Sequence, residues 1–489
     1  MPIKKSSKFS LALLFISVTT LLQGPAFAEK RKYDFSWVEP KQKAIQKIVD
    51  KSGINAKEIG MYIAISDSTD QQIFKLNEQK LYIPASLSKL ATTTAVLESF
   101  PPGTTFKTQI LTTAEQKGSQ LQGDLYLRGG GDSGFVSESM WYLVNVFTRN
   151  QILEVTGDII VDDTLFDSVR FDPTRPDINV DRAYDAPVGA MSFNWNSVNV
   201  FVRPGNKVGD PAKVFIDPDN GFVKLKGSIT TVSGASDIQI SRDENQLDDT
   251  DTISVGGKVS IKDGESVTYK SITKPDLWSG YNLKTFLKDR GIVVRGKVII
   301  GKTPQDAKVL AQTDSKPIEG LLNDMNKFSN NYVSEMLTKS IASLSQSQAT
   351  LGKGVENIKA TLNRIGLENS EFTIINPSGI SRKNQITPHA LWKIITYLQN
   401  QFNEQPELFM SLPIAGVDGT LKKRMKGTNG ERWVRAKTGT MDGIVGLAGY
   451  AGRRDGMVIP FAMIYNGGVD AAKVRQLFDQ IAVELATTN

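Results

Sequence analysis

Three short polar clusters along the 489-residue chain combine residue types that can do covalent chemistry: Ser86-Leu87-Ser88-Lys89, Ser329-Asn330-Asn331 and Lys437-Thr438-Gly439. Ser86 follows Pro84-Ala85 at the head of an apolar helical segment, so its hydroxyl lies at the positive end of a helix dipole, which stabilises a developing anion. Lys89, at i+3, is on the same face one turn later and can reach that hydroxyl. To accept its proton the amine must be neutral, and burial plus a second ammonium at Lys437 would both push it that way. Taken alone, the pair better suits a helix-capping serine and a surface lysine.

Ser329-Asn330-Asn331 interrupts a helical run from Leu321 to Ile341 that carries apolar residues at Leu322, Met325, Phe328, Tyr332, Met336 and Leu337. Three adjacent polar residues disfavour a helix unless they serve a site. The plainer alternative is a turn between two helices. In a site, Ser329 can relay a proton to a leaving amine, and the Asn331 amide can hold Lys89 and a substrate carbonyl. Lys437-Thr438-Gly439 ends a strand-like run from Trp433 to Ala436. Gly439 would let an extended peptide approach the strand edge and pair with it. Lys437 and the hydroxyls of Thr438 and Thr440 suit a terminal carboxylate, and the N–H groups of Ser86 and Thr440 would make an oxyanion hole.

Composition removes the competing chemistries. The only histidine is His389, so a histidine-rich zinc site is excluded, and Thr387-Pro388 before it mark a first-turn helix position rather than a catalytic base. With no cysteine there is neither a disulfide nor a thiol nucleophile. Gly129-Gly130-Gly131-Asp132 lacks the ending of a phosphate loop, and Asp217 to Gly221 lacks a bidentate acid at Ser228, so no metal or cofactor is implied. Residues 1–28 read as a secretory signal peptide: Lys4, Lys5 and Lys8, an apolar run from Leu11 to Leu22, and Ala26 and Ala28 around Phe27. That run is shorter than the ~20 residues that span a bilayer. Removing three lysines leaves 55 Lys and Arg against 52 Asp and Glu, taking the net charge from +6 to +3. With no concentrated basic surface, nucleic-acid binding is set aside.

The elements that must position the clusters are legible in outline. A helix over Ala44 to Ile54 precedes strands Met61 to Ile65 and Gln72 to Leu76, then a buried helix from Ser86 to Phe100. Residues 101–284 turn to short strands and read as a β-rich insert of two small domains, leaving 29–100 and 285–489 as the catalytic part. Near the end, Trp433 to Ala436, Ile444 to Ala451 and Met457 to Tyr465 suggest an antiparallel meander. The last helix, Ala471 to Ala486, puts Val474, Leu477, Phe478, Ile481 and Leu485 on one face for packing on that sheet.

The three clusters in this order are the signature of active-site-serine β-lactamases and penicillin-binding proteins. Together with Gly123-Asp124-Leu125, Gly131-Asp132, Asp185-Ala186-Pro187-Val188, Asn376-Pro377-Ser378-Gly379-Ile380-Ser381-Arg382 and Gly446-Leu447-Ala448-Gly449-Tyr450, they make the whole mature chain resemble the class C low-molecular-mass penicillin-binding proteins, the D-alanyl-D-alanine carboxypeptidase/endopeptidases. The long stretch between Ser86 and Ser329 matches the two extra domains of that family. The resemblance implies an α/β (α+β) transpeptidase-like catalytic domain, an antiparallel sheet flanked by helices. It also implies a periplasmic enzyme that takes peptidoglycan stem peptides as substrates and β-lactam antibiotics as covalent inhibitors. Self-association into a homodimer is left open.

The resemblance further implies a diaminopimelate side-chain pocket at Arg382, Asp442, Asp181 and Tyr184. Two positions depart from the family. Asn179 stands where an acid often precedes the aromatic of the Tyr/Phe-x-Ala-Pro motif, with Asp181 the nearest acid, and Gly-Asp-Pro reads Gly131-Asp132-Ser133. A β-lactamase or esterase on the same scaffold, and a non-catalytic cell-wall scaffold, are the other readings. Intact motifs oppose the scaffold.

Overall fold

The computed structural model describes residues 35–66, 71–175, 181–245 and 249–488. The signal segment and Asn179 lie outside them. A five-stranded antiparallel sheet forms the centre of the catalytic part, in the order Gln72–Leu76, Ile59–Ala64, Val458–Asn466, Ile444–Gly452, Val434–Met441. The last three strands are the meander read from the sequence. Their inner strands are buried on both faces, which is why Ile444–Gly452 carries a nearly continuous apolar run.

One face of the sheet is covered by Val38–Ser52 and the C-terminal helix Ala471–Ala486, whose Val474, Leu477, Phe478, Ile481 and Leu485 are all buried. The other face receives the serine helix Ser88–Ser99 and Pro388–Gln399, with Ile318–Lys327, Asn331–Ser343 and Leu351–Arg364 packed around them. His389 is the second residue of its helix, capped by the Thr387 hydroxyl; its ring stacks on Trp392 and lies within 3.5 Å of Glu371.

The segment between holds a second core. One five-stranded sheet runs Val298–Ile300, Ile159–Asp162, Leu125–Arg128, Lys107–Thr112, Lys308–Asp314, and smaller sheets gather Ser197–Arg203 with Lys213–Asp217 and Ser266–Ser271, and Thr250–Ser260 with three neighbours. Strands beyond residue 284 thus complete a sheet begun before it, and a division at 284/285 falls inside the helix Pro275–Asp289. A helix at Ser137–Thr148, unread in the sequence, buries Met140, Leu143, Val144 and Phe147, an i, i+3, i+4, i+7 stripe obscured by the strand-like segments on either side. Among the described residues no helix is long and apolar enough to cross a membrane.

Candidate active site

The serine enters on a tight turn. Residues Ala85–Leu87 form a single 3-10 turn that leads directly into the helix Ser88–Ser99, and Ala85 adopts the left-handed conformation at φ 48°. For a residue with a Cβ that backbone is strained, and it persists only where the surroundings over-determine it. Two glycines grip the turn. A Cβ on Gly379 (φ +81°) would lie 1.9 Å from the Ala85 carbonyl oxygen, and one on Gly439 would lie 2.6 Å from that of Pro84. Asn466 ties the approach to the sheet, accepting from the Ile83 N–H at 2.8 Å and donating to its carbonyl at 3.1 Å.

Gly439 therefore answers to a different neighbour than the sequence suggested. It pairs with Gly446 across the strands, and both leave room for Leu87, so the turn that carries Ser86, rather than an incoming peptide, fills that space. We expect Gly439→Ala to lower the thermal midpoint by an amount equivalent to ~1–3 kcal/mol, the usual range for overpacking, and to slow acylation by β-lactams. A melt and an acylation trace that both match wild type would show that the turn has room to give.

Lys89 is fully buried, and its Nζ lies 3.3 Å from Ser86 Oγ. The amine also donates to Asn331 Oδ1 at 2.7 Å and to the Ser378 carbonyl at 2.6 Å. Burial above all, then the field of Lys437, holds its pKa well below that of an ordinary lysine; Glu335 opposes this and Arg175 adds to it. Lys437 is likewise fully buried, donates to Ser329 Oγ at 2.8 Å and to the Thr438 carbonyl at 2.9 Å, and is lowered by burial to about 7. Ser329 sits between the helices Ile318–Lys327 and Asn331–Ser343 with φ 57°, and Asn330 caps the second by accepting from Val333 N–H. The cluster is thus a turn between two helices, and the same turn brings Ser329 to Lys437 and Asn331 to Lys89.

The Lys437 motif lies within its strand, which continues to Met441 rather than ending at Ala436. This is an edge strand of the sheet. Ala436 N–H points outward to Pro413, so by the two-residue alternation the N–H groups of Thr438 and Thr440 also face that edge. Thr438 is nearly buried and bonds Thr420 Oγ1 at 2.8 Å, whereas Thr440 is exposed.

A cleft of about 550 Å3 opens over Ser86, bounded by Ser329 and Asn331, by Gly379 and Ile380, by Thr440, Met441 and Asp442, and by Arg182, Tyr184 and Asp185 from the insert. Phe328 and Tyr184 form exposed aromatic lips, at 71 % and 50 % exposure. Arg382 donates to the Asp442 carbonyl at 2.7 Å, with the carboxylate 4.0 Å away and fully exposed. Neither Asp181 nor Arg382 is among the residues bounding the cleft: Arg382 reaches it only through Asp442, and the Asp181 carboxylate takes Lys270 Nζ at 2.6 Å while its backbone bonds Ser271 on the insert sheet. Asp185 is the acid that the insert places at the cleft wall.

Several residues missed in the sequence hold these groups in place. The Asn376 carboxamide oxygen accepts from Ser378 Oγ, Gly379 N–H and Ile380 N–H, fixing the loop that offers the Ser378 carbonyl to Lys89. Asn384 donates to Ser88 Oγ at 2.9 Å and to the Asn376 carbonyl. The only signal for them in the sequence was the Asn376 to Arg382 stretch.

Comparison with known proteins agrees with this geometry. Residues 41–488 match the D-Ala-D-Ala carboxypeptidase 3 (S13) family. The chain belongs to this family. A D-alanyl-D-alanine carboxypeptidase of Actinomadura sp. (strain R39) is 30% identical over 445 residues, covering 87% of this chain and 80% of that protein. The D-alanyl-D-alanine carboxypeptidase DacB of Haemophilus influenzae is 23% identical, covering 95% of this chain and 94% of that protein. A crystal structure of penicillin binding protein 4 (dacB) from Haemophilus influenzae shares the fold with a TM-score of 0.77 at 22% identity, covering 91% of this chain and 99% of that one. As a member of the S13 family the chain is a serine-type D-alanyl-D-alanine carboxypeptidase.

Proposed function

We propose that Ser86 is the nucleophile and Lys89 its base, in a two-step cleavage of stem peptides ending in D-alanyl-D-alanine. The observation that carries this is the contact of Lys89 Nζ with Ser86 Oγ at the floor of the cleft, with the amine buried and its proton affinity lowered. The peptide lies along the open strand edge, its terminal carboxylate toward Lys437 and Thr440. Ser86 Oγ bonds to the penultimate D-alanyl carbonyl carbon as its proton passes to Lys89, and the carbonyl oxygen becomes an anion held by the N–H groups of Ser86 and Thr440. Collapse breaks the C–N bond, and the proton that Lys89 took from Ser86 passes by way of Ser329 to the departing amine, which leaves Lys89 neutral again. Water then cleaves the ester, giving its proton to Lys89 and returning Ser86 Oγ–H.

Incubation of the mature chain with defined muropeptides tests the substrate. Release of D-alanine from pentapeptides, or cleavage of D-alanyl cross-links, is expected; an intact pentapeptide and an intact cross-link would overturn it. Among the described residues bounding the cleft there is no glutamate to speed deacylation, which favours a long-lived penicillin ester over β-lactamase turnover.

Residues 1–28 direct export, and the enzyme works in the periplasm. The division we propose places the insert at about 101–314, since strands to Asp314 pair within it. In the side-chain pocket Arg382 and Asp442 act at the two ends of diaminopimelate and Tyr184 packs on its stem, while Asp181 is committed to Lys270. Because Arg382 is half exposed, Arg382→Ala should cost only ~1 kcal/mol in kcat/KM on the diaminopimelate pentapeptide, and less on the lysine analogue. Equal losses on both would remove Arg382 from the pocket.

A further inference from the structure

The helix Asn331–Ser343 sets three side chains at intervals of four residues, and so on one face: Asn331, Glu335 and Lys339. Asn331 holds Lys89, and Lys339 donates to Asp167 Oδ1 at 2.5 Å. Between them Glu335 meets Arg175, which reaches in from the insert. The guanidinium bonds both carboxylate oxygens, at 2.6 and 3.3 Å, and each side chain is 1 % exposed. Arg175 also donates to the Asp185 carbonyl at 2.7 Å, beside the insert wall of the cleft.

A buried ion pair is a costly way to join two domains, because desolvating both charges offsets most of their attraction and apolar residues would pack as well. Its position suggests what it does. Glu335 lies one helical turn from the residue that grips Lys89. Unmatched, its negative charge would favour the ammonium form of Lys89, which cannot take a proton from Ser86. Bonded to a guanidinium that stays charged at all working pH values, it is matched.

We propose that Arg175 is a positioning residue supplied by the insert, which neutralises Glu335 and so keeps Lys89 in its proton-accepting form when the cleft wall at Asp185 is docked. The inference rests on the assignment of Lys89 as base. The charged groups facing Lys89 are Lys437 from the edge strand, Glu335 from the helix and Arg175 from the insert; Asp172 and Asp185 face the Arg175–Glu335 pair in turn. Asp172 is itself bonded by Asn376, which anchors the Ser378 loop, so the insert supports both sides of Lys89.

The pH profile of second-order acylation by benzylpenicillin, measured on the mature chain, tests this. Arg175→Met should move the acid limb up by ~1 pH unit or more, the effect of an opposite charge at close range, and so slow acylation about tenfold on that limb. The double variant Arg175→Met/Glu335→Gln should bring the limb back to its wild-type position, which a purely structural loss would not do. Arg175→Lys should shift it less than Arg175→Met. An acid limb unmoved in folded Arg175→Met, or equally shifted in the double variant, overturns the proposal. Should Arg175→Met fail to fold by circular dichroism, Glu335→Gln alone decides: the limb should stay or move down, and a move up refutes the shield. If wild type itself shows no acid limb that Lys89→Ala abolishes, it is the assignment of Lys89 that fails.

Discussion

Benzylpenicillin should add one acyl group to the wild-type mature chain and none to Ser86→Ala, the largest effect expected of any single change here. The strained β-lactam amide presents its carbonyl to Ser86 Oγ while its carboxylate lies toward Lys437 and Thr440. The bond that breaks stays tethered to the ligand, so no leaving group vacates the site. Intact mass before and after incubation reads the result directly. Ser86→Ala removes one oxygen at a turn held by Gly379, Gly439 and Asn466, so the fold and reversible binding should survive while the covalent product is lost. Many other serines are present, including Ser340, Ser343, Ser345 and Ser347, but among the described residues bounding the cleft the serines are Ser86, with the buried Lys89 amine at 3.3 Å, and Ser329, with the buried Lys437 amine at 2.8 Å, and of these Ser86 stands on the turn that opens the helix Ser88–Ser99. An adduct of the same mass on Ser86→Ala would move the nucleophile elsewhere.

What the sequence made legible follows from how local the information was. Ser86 and Lys89 share one helical turn, so their contact could be derived from spacing, and the meander needed only short turns between apolar runs. Asn384 and Arg175 act on groups far away in the chain, and nothing local distinguishes them from ordinary loop residues, whereas Asn376 bonds its own loop at Ser378, Gly379 and Ile380 and showed only as part of the Asn376 to Arg382 stretch. Glu335 and Lys339 did carry a signal, a four-residue spacing from Asn331, hidden because the helix they occupy is buried on nearly every side. Asp181 shows the opposite failure. It was the acid nearest the expected position in sequence, yet pairing across to Lys270 on the strand Ser266–Ser271 fixes it away from the cleft, and strand register over 89 residues cannot be read from one chain. Gly439 was singled out correctly as a place of close approach, but the approaching backbone belongs to the protein.

Lys89→Ala and Lys437→Ala should fail in different ways. General-base assistance acts only in the chemical steps, so Lys89→Ala should slow acylation by ~10²–10⁴-fold with little change in the reversible affinity for the ligand. Asn331 Oδ1 and the Ser378 carbonyl lose their donor in that variant, and a water in the space left by the amine can replace it. Lys437→Ala should weaken reversible binding as well, since its ammonium faces the bound carboxylate. The sign of the pH dependence separates them further. Burial lowers Lys437 to about 7, so in the free enzyme it loses its charge as pH rises through neutrality, whereas a bound carboxylate favours the charged form. Affinity should therefore be highest below about pH 7 and fall above it in wild type and in Lys89→Ala, and this fall should vanish in Lys437→Ala. Acylation by wild type should instead rise with pH on its acid limb, where Lys89 becomes neutral, giving a bell whose two limbs belong to the coupled lysine pair. Stopped-flow traces over a range of penicillin concentrations yield both the dissociation constant and the acylation rate at each pH. Equal losses of affinity in the two variants, or an alkaline limb that persists without Lys437, would show that the two lysines do not divide proton transfer and carboxylate binding between them.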